Sequence, residues 1–197
     1  MKKIVPFMLA CAWLAACSDK DVNQPKPSKP GQPEMLYTDL KDKEVKKNGA
    51  VFIDVDQDGL KDLFFNTMLV GDALNKLDKL QFFVLSLENR HLLSSLDDRT
   101  PVYKKGDAIS LANNNGYYWN HVLQLVLAQK NTGIAGPPYW IGDWKNASHK
   151  FIALQVDRGG KRYGGWIEIS FDTANEKIIL YRCAISKDAG KNVVAGQ

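Results

Sequence analysis

The stretch "KFIALQVDRGGKRYGGWIEISFDTANEKIILYRCAIS", residues 150–186, contains three alternating runs separated by two turn sequences. Ile152, Leu154 and Val156 fall on one side of the first run. The second sets Ile167, Ile169 and Phe171 against Trp166, Glu168 and Ser170. The third sets Ile179, Tyr181, Cys183 and Ile185 against Leu180, Arg182 and Ala184. Residues two apart share a face only in an extended chain, so a period of two means strand. "DRGGKRYGG" and "DTANEK" are rich in residues that tolerate tight turns. The three runs are therefore expected to form an antiparallel meander.

Working outward, the same period recurs. In "AVFIDV" (50–55) Val51, Ile53 and Val55 share a face, with Phe52 and Asp54 opposite. "LQFFVLSL" (80–87) reads as a strand buried on both faces. Two stretches fit helix as well as strand. "GDALNKLDKL" (71–80) places Leu74, Leu77 and Leu80 every third residue, which predicts a short helix. "YYWNHVLQLVLAQK" (117–130) is long enough for a helix, whereas its aromatics and neighbours favour strand. The expected class is all-β and mainly antiparallel: a β-sandwich or jelly-roll-like single domain over 35–197, with minor helix. A chain of that size buries a core without covalent staples.

The start of the chain is read separately. "MKKIVPFMLACAWLAAC" has two lysines and then an apolar run too short to cross a bilayer. Its ending, "LAAC", resembles the lipobox of bacterial lipoproteins. The resemblance implies a signal peptide over 1–16, cleavage before Cys17, and lipidation of Cys17. The alternative is an ordinary cleaved signal beside a chance cysteine. "SDKDVNQPKPSKPGQPE" follows, with prolines at 25, 27, 30 and 33. Residues 17–34 are thus expected to be a proline-rich spacer, reaching on the order of 50 Å at ~3.1 Å per residue. "CSDKD" resembles the acidic export signal of Bacteroidetes surface lipoproteins. The implied location is the bacterial outer membrane, at the cell surface or the periplasmic face, with the membrane as partner through the lipid. Cys11 leaves with the signal, so Cys183 alone remains and no internal disulfide forms. Of the formal charge of +4, two units belong to Lys2 and Lys3. The rest forms no basic stripe, which disfavours nucleic acid.

"FIDVDQDGLKDLFF" (52–65) carries the clearest chemistry. Counting from Asp54, carboxylates stand at positions 1, 3, 5 and 9 (Asp54, Asp56, Asp58, Asp62), with Gly59 at position 6. Calcium takes six to eight oxygens, and alternate residues leaving a strand converge on one side. Gly59 permits the sharp turn, and the Leu60 carbonyl would face inward at position 7. The alternative is a solvated acidic turn without metal. An EF-hand is excluded, because its position 12 needs glutamate and here holds Phe65. The loop instead resembles the β-hairpin calcium loop of FG-GAP and integrin-type repeats, D-x-D-x-D-G-x-x-D. An aspartate-only site closed by a backbone carbonyl keeps little open coordination and no histidine lies near, so calcium is expected to pin a turn rather than to act as a catalytic metal.

A wider order is similar to secreted bacterial β-sandwich proteins of the PEP-CTERM-associated type. It runs through the aspartate loop, "KKGDAIS" (104–110), the "YGGW" (163–166) strand and "VVAG" (193–196). "YGGW" has one glycine more than that pattern, and the sorting tail is absent. The resemblance implies a surface-associated sandwich and no catalytic residues.

The remaining candidates lie in two aromatic loops. Tyr117, Tyr118 and Trp119 stand in one, and Tyr139, Trp140 and Trp144 in the other. Exposed, they would form a platform for a glycan; buried, they would cap the core. A glycan or a protein is thus the expected partner beyond the membrane. His91, His121 and His149 have no metal spacing, and Asp97 and Asp98 are adjacent in a turn. The leading expectation is a lipid-anchored, calcium-stabilised binding or structural protein with no identifiable catalytic site. The alternative is a secreted carbohydrate-binding or carbohydrate-hydrolysing protein. An enzyme would require a cleft with two facing carboxylates, or with a carboxylate and a histidine of perturbed pKa.

Overall fold

The computed structural model describes residues 31–197. The leader, Cys17 and the proline-rich stretch through Pro30 lie outside the described residues. Thirteen strands follow in the described part: β1 (Met35–Lys46), β2 (Ala50–Ile53), β3 (Leu63–Asp72), β4 (Leu77–Ser86), β5 (Arg90–Ser94), β6 (Ala108–Ile109) and β7 (Tyr118–His121). After them come β8 (Gln124–Gly133), β9 (Tyr139–Ile141), β10 (Lys150–Arg158), β11 (Lys161–Asp172), β12 (Lys177–Ser186) and β13 (Val193–Val194).

Six strands pair in the order β1-β12-β11-β10-β5-β7, and five in the order β2-β3-β4-β8-β9. All pairings are antiparallel. The expected meander is present as β10-β11-β12, with turns at 159–160 and 173–176. The main core combines Ile152, Leu154, Val156, Ile167, Ile169 and Cys183 of the larger sheet with Phe65, Phe82, Val84, Leu125 and Leu127 of the smaller. An all-β sandwich is therefore the architecture. A second cluster lies on the other face of the larger sheet, around Phe151, Trp166, Ala184 and Leu93. It is covered by a small ribbon in which β6 pairs with β13. "KKGDAIS" and "VVAG" thus meet, and the Trp166 indole donates to the Gln197 carbonyl at 3.2 Å.

Among the described residues there is no helix, so the minor helix expected from the sequence is corrected. Residues 71–80 are the end of β3, a turn and the start of β4. Leu74, one of the three spaced leucines, is 90% exposed at the turn tip. Asp72 accepts the Asn75 amide at 3.0 Å and its side-chain N–H at 2.8 Å. The β11-β12 turn repeats this arrangement, with Asp172 accepting from Asn175 at 2.9 and 2.7 Å. Residues 117–130 divide into β7 and β8. The break falls at Val122, whose φ of 48° lies in the left-handed region and ends the extended run.

The alternation expected along β12 is also broken. Glu168 pairs with Arg182 but Ile169 pairs with Leu180, so Tyr181 is an extra residue in a β-bulge. An extra residue reverses the faces on either side of it. Ile178 and Leu180 therefore join Cys183 and Ile185 in the core, while Tyr181 turns away and donates to the Ser170 hydroxyl at 3.0 Å.

Candidate metal centre

The acidic loop joins β2 to β3. Ile53 and Val55 are both buried in the main core and fix the start of the loop, while Leu63 and Phe65 fix its return. Phe52 lies outside, stacked on Phe64 with centroids 4.3 Å apart. The loop closes on itself through its own carboxylates. The Gly59 amide donates to Asp54 Oδ2 at 3.0 Å, Asp58 N to Asp56 Oδ1 at 3.3 Å, and Leu60 N to Asp58 Oδ1 at 2.8 Å. Gly59 has a φ of 88°, a conformation that costs a side-chain-bearing residue.

Oxygens of Asp54, Asp56 and Asp58 lie within 4.8 Å of one another. Two carboxylate oxygens here, Asp54 Oδ1 and Asp56 Oδ2, are buried without a hydrogen-bond partner. A buried carboxylate oxygen without a donor is costly, and a hard cation is one way to satisfy it. The three residues fit such an ion as anionic oxygen donors.

Asp62 has a different place. It is 1% exposed; its Oδ2 accepts the Val55 amide, and its Oδ1 accepts the Arg90 Nε–H. It is not among the three residues whose oxygens converge, and its contacts tie the loop to β5. Leu60, expected to offer its carbonyl, is 65% exposed at the loop tip.

Arg90 is the residue that sequence reasoning missed. Its buried guanidinium pairs with Asp62, lies 3.3 Å from Asp58 Oδ2 and 3.7 Å from Asp56 Oδ2. Arg158 stands 3.6 Å from Asp56 Oδ2 and stacks on Tyr163 at 4.2 Å. The contacts to Asp56 Oδ2 are ion pairs too long to be hydrogen bonds, which is why that oxygen stays unpartnered. Burial, then the Asp62 charge, push the Asp56 carboxyl above its usual range, against the opposing pull of Arg90. Burial works to lower the Arg90 pKa, but the Asp62 hydrogen bond and the neighbouring carboxylates outweigh it, and the pKa is raised. A crowded acidic cluster demands a counter-charge, but no local pattern places that charge 28 residues beyond Asp62.

The aromatic loops do not assemble into one surface. Trp144 is buried in the main core and donates to the Thr100 carbonyl at 3.3 Å. Trp140 packs on that same core against Phe82 and Phe171. Tyr117 and Trp119 pack on the second cluster, and the Trp119 indole donates to the Ser110 carbonyl at 3.2 Å. Only Tyr118 and Tyr139 are well exposed, on the edge strands β7 and β9 of different sheets. A platform that includes Trp144 is therefore corrected: the sandwich needs large apolar side chains at its rim, and Trp144 fills that role.

The histidines have structural settings. His91 and His121 are cross-strand neighbours with ring centroids 5.7 Å apart. His149 meets Glu168 at 2.9 Å and stacks on Tyr181. Cys183 is buried, and burial pushes its thiol up to about 12, so it is no nucleophile near neutral pH. No protein family, no curated protein and no solved structure matches the chain.

Proposed function

We propose that the chain is a lipid-anchored binding or structural protein of the bacterial outer membrane whose β2-β3 loop is pinned by calcium. One observation carries the metal reading: three aspartate side chains converge within 4.8 Å, and two carboxylate oxygens there are buried without donors. Asp54, Asp56 and Asp58 would hold the ion, and Asp62 with Arg90 would hold the loop. Calcium there supplies charge neutralisation and a rigid turn. The lipobox-like "LAAC" with Cys17, followed by the proline-rich spacer, supports the anchor and a location at the cell surface or periplasmic face.

The test is thermal unfolding with calcium and with chelator. At a hundredfold excess of calcium over its dissociation constant the stabilisation is ~2.7 kcal/mol. Asp54→Asn and Asp56→Asn are expected to abolish the calcium-dependent shift. An identical melting temperature in calcium and in chelator, for protein first loaded with calcium, rejects the metal. Labelling with radioactive palmitate, lost in Cys17→Ser, tests the anchor.

A second reading is binding of a glycan. It is supported by a cleft on the opposite side of the smaller sheet from β2, where carboxylates stand on two separate turns.

A further inference from the structure

Between the turn that follows β5 and the β8-β9 edge lies a cleft of about 450 Å³. That is within the ~300–1,000 Å³ typical of small-molecule sites. Asp97 and Asp98 come from one wall and Asp143 from the other. Both walls are tied to one buried residue. The Trp144 indole holds the Thr100 carbonyl at 3.3 Å, and the Trp144 amide donates to the Leu127 carbonyl at 3.2 Å. The Ser95 hydroxyl accepts the Asp97 and Arg99 amides, each at 3.3 Å, and so shapes the first wall. The cleft is thus a built feature of the sandwich rim.

Its chemistry is one-sided. Thr100 is 4% exposed and lines the cleft, and its hydroxyl oxygen has no hydrogen-bond partner. That oxygen is closed to solvent, so it adds polarity beneath the cleft rather than a contact to a ligand. Gln129 is held in place by Gln81 at 2.8 Å and by Asn131 at 2.6 Å, which leaves one N–H of its amide uncommitted. Gln124 adds a second amide, while Val126 and Ile141 supply apolar surface. Three carboxylates and one guanidinium line the cleft, and Arg99 meets Asp143 only at 3.9 Å in an exposed pair. Such a pair contributes little and yields readily to a competing cation. Acceptor-rich walls with an excess of negative charge suit a ligand rich in N–H and O–H donors, with an apolar face and a positive charge.

We propose that this cleft binds a short amino sugar, with the ammonium group between Asp97 and Asp143 and the ring face against Val126 and Ile141. The proposal rests on the reading of the chain as a binding protein and is independent of the metal loop, whose residues lie elsewhere.

The experiment is titration calorimetry at low salt on the full chain, with and without calcium. The probe is a β-1,4-linked glucosamine disaccharide, with cellobiose and a galacturonic acid disaccharide as neutral and anionic comparators. The glucosamine dimer is expected to bind about tenfold or more tightly than cellobiose, with no binding of the uronate. The double variant Asp97→Asn/Asp143→Asn is expected to lose about tenfold in affinity, and Arg99→Gln to gain a few-fold. Thr100→Val is expected to raise or hold the ligand-free melting temperature and to leave the affinity within about twofold, because the hydroxyl it removes is unpaired and closed to the cleft. Absence of binding by all three sugars at millimolar concentration overturns the proposal, as does equal binding of the uronate or an unchanged affinity in the double aspartate variant. Sugar binding that survives Asp54→Asn, in protein whose melting temperature ignores calcium, removes the metal and keeps the cleft.

Discussion

Removing the Arg90 guanidinium leaves Asp56, Asp58 and Asp62 facing one another with Arg158 as the nearest remaining cation. Breaking a buried pair from one side typically costs ~3–5 kcal/mol, since the orphaned charge stays buried. Arg90→Met is therefore expected to unfold at markedly lower urea in chelator, and calcium is expected to restore a large part of the loss. Urea titrations with and without calcium measure both; no restoration by calcium would show that the trio takes no cation. Glu168, 7% exposed, tests the other face of the larger sheet. Burial raises its carboxyl pKa, but hydrogen bonds from Arg182 at 2.7 Å and His149 at 2.9 Å outweigh burial and hold it below its usual value. A depressed carboxyl stabilises the fold above its unfolded pKa and loses that contribution as the pH falls through its folded value. Glu168→Gln is thus expected to cost roughly 1–3 kcal/mol at neutral pH and progressively less below the ordinary glutamate range. Melting curves of the two proteins across pH check the convergence. The aspartate spacing was legible along the chain, because five placed residues sit within nine positions. The roles of Asp62 and Arg90 were not, because a buried counter-ion is recruited by proximity in space.

At the scale of elements, two hairpin turns make the same point from opposite sides. "DTANEK" was readable as a turn and "GDALNK" was not, although both use Asp and Asn three apart in the same hydrogen-bonded loop. The difference lay in leucines at helical spacing, and Leu74 turns out to be solvent-exposed. The β12 bulge is a second case. Alternation predicts one unbroken face, whereas Tyr181 inserts a step that only pairing with β11 reveals. "YGGW" is explained at this scale too. A Cβ on Gly165 would come within 2.6 Å of the Ala184 carbonyl oxygen, so the β11-β12 approach excludes any side chain there. Gly165→Ala is expected to destabilise by roughly 1–3 kcal/mol through overpacking against backbone. Gly160→Ala, with open space around it but a φ of 72°, tests strain alone. Chemical denaturation of both separates clash from strain; an unaffected Gly165→Ala would mean that the two strands are free to move apart.

Across the whole molecule, the larger sheet has apolar residues on both faces, and each face needs a cover. The smaller sheet covers one; the β6-β13 ribbon and the chain end cover the other, with Val193 and Ala195 buried beside Phe151 and Trp166. Deleting residues 193–197 is expected to expose Trp166, red-shift its fluorescence, raise binding of a hydrophobic dye and lower the melting temperature. An unchanged emission spectrum would show that the ribbon is dispensable. Sequence by itself determined the strand-rich class, the C-terminal meander, the acidic loop and the cysteine count, because each is written in residues close together along the chain. Period-two alternation and turn chemistry are local consequences of backbone geometry. Only the tertiary structure decided the second core, the burial of Trp144, the Arg90 counter-ion and the cleft beside Thr100. Each of these depends on which faces of distant strands meet, and that is settled by packing and by the pairing of buried charges, not by neighbours in sequence.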